Sequence, residues 1–237
     1  MKRFYETVSL EPVADGDDVR LLLDGRSVKT PSGAEICVPV GGFAVALAVE
    51  WEAQAEAIDP SSMPLTRLAN AVIDGVSQRR MDVAADIIAY GNSDLICYWA
   101  DGPGGLVARQ EEHWRPVLTW AQDHLRAEFI TVTGVVPIVQ DRNAIMELAI
   151  DVNKLSNYGL AALHEMTTLT GSVLIGLMVL RGALSAEAGW DAAHVDEAFQ
   201  VDQWGDDEEA TARMAGRKAA FLSAVRALEL LGILRST

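Results

Sequence analysis

The stretch VRLLLDGRSVKTPSGAEICVPVGGFAVALAVEW, Val19 to Trp51, changes its period partway along and so divides the chain into two kinds of structure. Its first half is β-like. Val19 to Leu23 and Ser27 to Thr30 are separated by Asp24-Gly25, a pair suited to a two-residue hairpin turn because both central positions need positive φ. A second turn, Pro31-Ser32-Gly33, leads into Ile36, Cys37 and Val38. Past Gly41-Gly42 the spacing becomes helical: Phe43, Leu47, Trp51 and Ile58 fall on one stripe at i, i+4, i+8 and i+15. This helix is expected to stop before Asp59-Pro60. Upstream, Arg3 to Leu10 alternates, so residues 3–38 read as a β meander.

Downstream, PSSMPLT (residues 60–66) carries two prolines in five residues and is the clearest linker-like punctuation in the chain. The sequence after it reads as helical from Arg67 to Tyr90. Leu95 to Trp99 suits a short strand or a helical turn, Gly102-Pro103-Gly104-Gly105 a loop, and Arg109 to Arg126 a helix despite Pro116. Phe129 to Val139 returns to β-like chemistry, with Pro137 favouring an edge or a connector. From Asn143 onward helices are expected over 143–155, 159–183, 185–204 and 206–232, with breaks at Gly182 and Gly205. The fold class is α+β: a small N-terminal antiparallel β domain over 1–64, then a larger, mainly helical C-terminal domain over 65–237.

Lys and Arg number 19 against 34 Asp and Glu, so the formal charge is 19 − 34 = −15, with half of the 237 residues hydrophobic. A chain so negative repels phosphate backbones, and its scarce cations form no run, which excludes nucleic acid as the expected partner. Met166 to Leu180 is uncharged but contains three Thr and falls short of the roughly 18 to 20 apolar residues of a membrane span. No membrane insertion is expected, and MKRFYETVSLEP has neither an apolar signal core nor an Arg/Ser-rich transit helix. Cys37 and Cys97, far apart and outside any paired motif, suit a reducing compartment.

Chemistry is sparse. The histidines His113, His124, His164 and His194 are never three or four apart, and HExxH, ExxH and CxxC are missing, so no metal or cofactor is expected and each His reads as structural. The Gly102–Gly105 loop lacks the third glycine of a dinucleotide fingerprint and the Gly-Lys-Ser/Thr of a P-loop, and Pro103 removes an amide that would face phosphate. GxSxG is missing too. No catalytic residue is assigned.

The segment 182–212 stands out, with nine acids (Glu187, Asp191, Asp196, Glu197, Asp202, Asp206, Asp207, Glu208 and Glu209) and no Lys or Arg. Such helices lack intrinsic i,i+4 ion pairs, so partners must come from elsewhere in the fold or from another molecule. A solvated acidic face is one reading. The other rests on spacing: Trp190, Glu197 and Trp204 are seven apart, so a helix unbroken at Gly189 would carry them on one face with Val201 beside them and Val195, Ala198 and Phe199 opposite. Large aromatics around a charge have the composition of an interface hot spot.

At these residues the sequence resembles a known family. DEAFQVDQWG (196–205), LDGRSVKTPSG (23–33), EWEAQAEAIDPSSMPLTRLAN (50–70), SDLICYWA (93–100) and WRPVLTW (114–120) are similar, in order and over nearly the whole chain, to the ATP synthase assembly-chaperone family. The resemblance implies a non-enzymatic helper that binds the newly made alpha subunit of the catalytic head until the beta subunit replaces it. It implies a β-rich N-terminal and a helical C-terminal domain, and it maps the family's functionally sensitive glutamate onto Glu197. The expected partner-binding residues are Glu197, Trp204, Trp190, Val201 and Asp202. Trp51, in the family's EW..Q motif, matters for family integrity by that resemblance, but the preferred reading is a core residue on the stripe with Phe43 and Leu47. Three positions depart from the family's pattern: Trp99 stands where arginine is usual, Arg115 where an acid is usual, and Asp202 where Glu is frequent. Mitochondrial members carry a presequence, so a bacterial cytoplasmic protein, monomeric when free, is expected here.

Two rivals remain at this point. One is an enzyme using Glu197 and Asp202 as a carboxylate pair. The other is a general acidic adaptor that attracts basic proteins by charge alone.

Overall fold

In the computed structural model, which describes residues 2–14, 16–205 and 207–234, one strand organises the N-terminal sheet. Strand β2 (Asp18–Leu23) pairs antiparallel with β1 (Val8–Pro12) along one edge, from Val8↔Leu23 to Pro12↔Val19. Its other edge is shared by β3 (Arg26–Ser27) at Leu22 and Leu23 and by β4 (Cys37–Pro39) at Asp18 to Arg20. Asp24 and Gly25 take φ of 49° and 74°, the mirror-image turn that the Asp-Gly pair favours. The Asp24 carboxylate accepts hydrogen bonds from Thr7 N (2.8 Å) and Glu6 N (3.1 Å), and these hold it below the usual carboxylate range. The alternation expected from Arg3 becomes a strand only at Val8, because the Arg3 guanidinium instead donates to backbone carbonyls of Tyr5, Glu52 and Gln54.

Val19, Leu21 and Leu23 point to the face covered by α1 (Gly42–Glu52), whose Phe43, Ala44 and Leu47 are buried. Helix α1 ends six residues short of Ile58. The Gln54 side chain turns the chain there, donating to Glu50 O (3.0 Å) and accepting from Asp59 N (2.7 Å). Trp51 is half-buried, its ring 5.9 Å from that of Tyr5.

The proline-rich stretch is a helix start. Pro64 opens α2 (Pro64–Ala71), a first-turn position where its missing N–H costs nothing. Glu50 reaches over from α1 to cap it, accepting from Leu65 N (2.7 Å), Thr66 N (2.9 Å) and Thr66 Oγ1 (2.9 Å). Burial raises the Glu50 carboxyl, and these bonds partly offset the shift. The helix expected over 67–90 is interrupted by a π-helical turn, Val72–Val76, before α3 (Arg80–Tyr90). From that turn Asp74 accepts from Thr30 Oγ1 (2.6 Å) and Ser32 N (3.1 Å), fastening the sheet to the helices. One hydrophobic cluster continues from Tyr5, Leu21 and Phe43 through Leu68 to Phe221 and Leu228, crossing residue 64 without a gap.

A helical turn, Leu95–Cys97, and a strand, β5 (Tyr98–Trp99), both occur where the sequence allowed either. Strand β5 pairs in parallel with β6 (Val132–Thr133), and α4 (Gly104–Trp120) runs between them, followed by a π-helical turn at Ala121–Leu125. After α5 (Arg142–Asn153), the single helix expected over 159–183 is two: α6 (Asn157–Thr170) and α7 (Val173–Leu180). Gly171 at φ 71° ends the first, and Ser172 caps the second by accepting from Ile175 N at 3.1 Å. All eight residues of α7 are buried, and Asp94, itself fully buried, accepts from Leu174 N at 3.1 Å and from Ile96 N at 3.3 Å. Helices α8 (Ala186–Ala193), α9 (Val195–Trp204) and α10 (Glu208–Leu230) complete ten α-helices among the described residues. None of these is long and apolar enough to cross a membrane.

Candidate functional site

The helix expected over 185–204 runs unbroken through Gly189 but stops at His194, whose backbone leaves the helical region at φ −122° and ψ 29°. The His194 ring stacks on Trp190 at 3.8 Å between centroids, and its Nδ1 lies 2.8 Å from the Trp190 carbonyl oxygen. Burial holds the His194 imidazole below its ordinary pKa. His124 repeats the device on Trp120, at 5.5 Å between rings. The break at His194 separates the two tryptophans. Trp190 lies on α8, only 4% exposed and 5.7 Å from the Phe221 ring, so it is a core residue off the face on which spacing had placed it. Glu197, Val201 and Trp204 stay together on α9 at i, i+4 and i+7, all exposed, with Trp204 85% accessible.

The opposite side of α9 is pinned to α4. Phe199 packs on Gly105, the second residue of α4, where a Cβ would meet its ring at 3.3 Å, so this glycine permits close approach of the two helices. The buried amide of Gln110 accepts from Ala100 N (2.9 Å) and donates to Asp196 Oδ1 (2.7 Å). Arg109 pairs with Asp202 at 2.7 Å and lies over the Phe199 ring at 5.2 Å. Asp202, expected beside Glu197, therefore faces α4. Five residues apart on a helix, the two carboxylates diverge by about 140°.

The acidic segment borrows cations from distant parts of the chain, Arg109 for Asp202 and Lys218 (3.7 Å) for Asp191. Asp207 caps α10 by accepting from Ala210 N at 2.7 Å, and Asp206 lies outside the described residues. Glu197 makes no salt bridge among the described residues. Arg109 and Gln110 were not singled out from sequence, and Gly105 only as part of a glycine-rich loop weighed for phosphate binding. Their one signal is the lack of cations in 182–212, which requires an arginine from elsewhere without saying which. Both cysteines are free, and burial pushes the Cys97 thiol up to about 12. Among the described residues no three His, Cys, Asp or Glu gather as a metal site.

Comparison with known proteins agrees with this architecture. The ATP12 chaperone protein family matches residues 2–122. The crystal structure of Atp12 from Paracoccus denitrificans is 40% identical with a TM-score of 0.90, covering 97% of each chain. That of the Atu1473 protein from Agrobacterium tumefaciens is 42% identical with a TM-score of 0.93, over 97% of this chain and 86% of that one. The mitochondrial protein atp12 of Schizosaccharomyces pombe is 24% identical over 222 residues, 88% of this chain and 75% of its own. The family model ends just past α4, and the two structural likenesses extend into the helical half that carries α9. The chain belongs to the ATP12 family of ATP synthase assembly chaperones.

Proposed function

We propose that the chain binds the unassembled alpha subunit of the F-type ATP synthase catalytic head, keeps it from aggregating and hands it over for assembly with beta, catalysing no reaction. An alpha subunit awaiting its neighbours exposes surface that beta will later cover, and such surface is an aggregation hazard. The observation that carries the reading is the outer face of α9. Trp204 and Val201 stand in solvent beside Glu197, which makes no salt bridge among the described residues, on a helix whose other side is fixed to α4 by Phe199, Asp196 and Asp202. An exposed aromatic on a rigid support loses little entropy on binding, and a carboxylate at its side selects a client Arg or Lys. A patch one helix wide buries little area, so the larger interface with beta displaces it. The site of action is the bacterial cytoplasm, where the alpha subunit would be made.

The test is gel filtration of alpha refolded in the presence of the chain. A one-to-one complex at moderate salt that dissolves when beta is added supports the proposal. A complex that vanishes at moderate salt and forms equally with unrelated basic proteins would instead identify an acidic adaptor.

A further inference from the structure

Between Glu128 and Asp141, the twelve residues FITVTGVVPIVQ carry no charge, in a chain where 22% of residues are charged. An uncharged run of this composition belongs in a core, yet much of this one is outside it: Val135 is 92% and Val139 90% exposed, with Val136 and Ile130 also in solvent. Its base is fixed. The Gln140 side chain clamps Ile130, accepting from its N–H at 2.8 Å and donating to its carbonyl at 2.9 Å, and Gly134 N donates to Trp99 O at 2.8 Å. Beyond Gly134 the pairing stops. Among the described residues, the N–H groups of Val135, Val136, Ile138 and Val139 donate to no backbone carbonyl, and Pro137 has none to donate.

Unpaired backbone flanked by exposed valines is what soluble proteins ordinarily blunt with charge. Here the charge is missing and Pro137 is the one guard. The segment is joined to the inner side of α9 by three hydrogen bonds in series: Gly134 N to Trp99 O, Ala100 N to Gln110, and Gln110 to Asp196. One frame therefore presents both exposed features. A second copy of this chain is a poor occupant, because each copy brings a charge of −15.

We propose that residues 135–139 form a second contact for the client held by α9, taking up an extended apolar segment of the unassembled alpha subunit through backbone pairing and valine contacts. This rests on the functional reading above and adds a second point of attachment, on β6 and its continuation.

The test combines amide hydrogen exchange with one variant, V135E/V139E, whose positions are exposed enough to leave the melting temperature unchanged. Slowed exchange at Val135, Val136, Ile138 and Val139 on adding alpha, with alpha affinity about tenfold weaker in the variant, is the expected result. Unchanged exchange and wild-type affinity in the variant, while Trp204→Ala still weakens binding, would overturn this inference and leave the proposed function standing. Failure of the wild-type chain to bind alpha at all would remove the functional reading first. Sedimentation as a dimer that V135E/V139E converts to monomer would make a second copy the occupant and overturn the inference.

Discussion

The guanidinium carbon of Arg115 lies 5.2 Å from the centroid of the Trp99 ring, and that ring meets Trp114 edge-on at 5.7 Å. Trp99 and Arg115 are two of the positions that the sequence resemblance sets apart, where it leads one to expect an arginine and an acid. The two departures touch. The contact sets a cation over an aromatic face, with the positive charge on α4, where Glu111 also holds it through hydrogen bonds of 2.7 and 2.8 Å.

Exchange of both partners should therefore be tolerated better than exchange of one. Trp99→Arg alone sets two guanidinium groups against each other and strips the edge contact from Trp114, and a fall of about 2–6 °C in melting temperature is expected. Adding Arg115→Glu should recover part of that loss. Thermal denaturation of the two single variants and the double variant measures the coupling, and strictly additive changes would show that the positions are independent.

Trp190 and Trp204 should respond oppositely to truncation. Trp190→Ala removes a buried ring stacked on His194 and is expected to cost about 3–5 kcal/mol by chemical denaturation. Trp204→Ala removes a ring that is 85% exposed, so stability should stay within about 0.5 kcal/mol of wild type while alpha binding falls.

Gln110→Ala should loosen α9 without touching its outer face. The change orphans Ala100 N and Asp196 Oδ1 at a buried position, for an expected loss of about 1–3 kcal/mol. Weaker alpha binding with Trp204 and Glu197 intact would show that the support from α4 matters to the client face.

Burial pushes the Asp94 carboxyl up to about 6, against the opposing pull of its hydrogen bonds from Ser172, Leu174 and Ile96. A raised carboxyl means that the folded state holds more protons than the unfolded state between the two pKa values. The Asp94 contribution to stability should therefore rise as pH falls from 7 through 6 toward 4. Asp94→Asn loses an acceptor at every pH, and the stability difference between wild type and variant should widen on acidification. A difference that narrowed over that range would contradict the assignment.

Much of the fold could be read from short-range rules. Asp24-Gly25 required a tight hairpin, and the change of period after Gly42 separated the sheet from α1 through Phe43 and Leu47. The prolines of 60–66 read as a linker but concealed a helix start at Pro64, because the cap that makes it one, Glu50, comes from another helix. Glu197, Val201 and Trp204 were grouped correctly because they share one helix. Trp190 was misplaced because no Gly or Pro marks the break at His194, which arises from a ring stacked on the preceding turn. The anchoring of α9 by Arg109 and Gln110 spans about ninety residues of sequence and is a product of tertiary packing alone.

The most direct test of the central claim is light scattering of the alpha subunit diluted from denaturant, with an equimolar amount of the wild-type chain or of Glu197→Gln. The account predicts that the wild-type chain suppresses aggregation of alpha but not of an unrelated aggregating protein, and that Glu197→Gln, with an unchanged melting temperature, fails to suppress it. Equal suppression by both forms, or none by either, would contradict the assignment of the client to the outer face of α9.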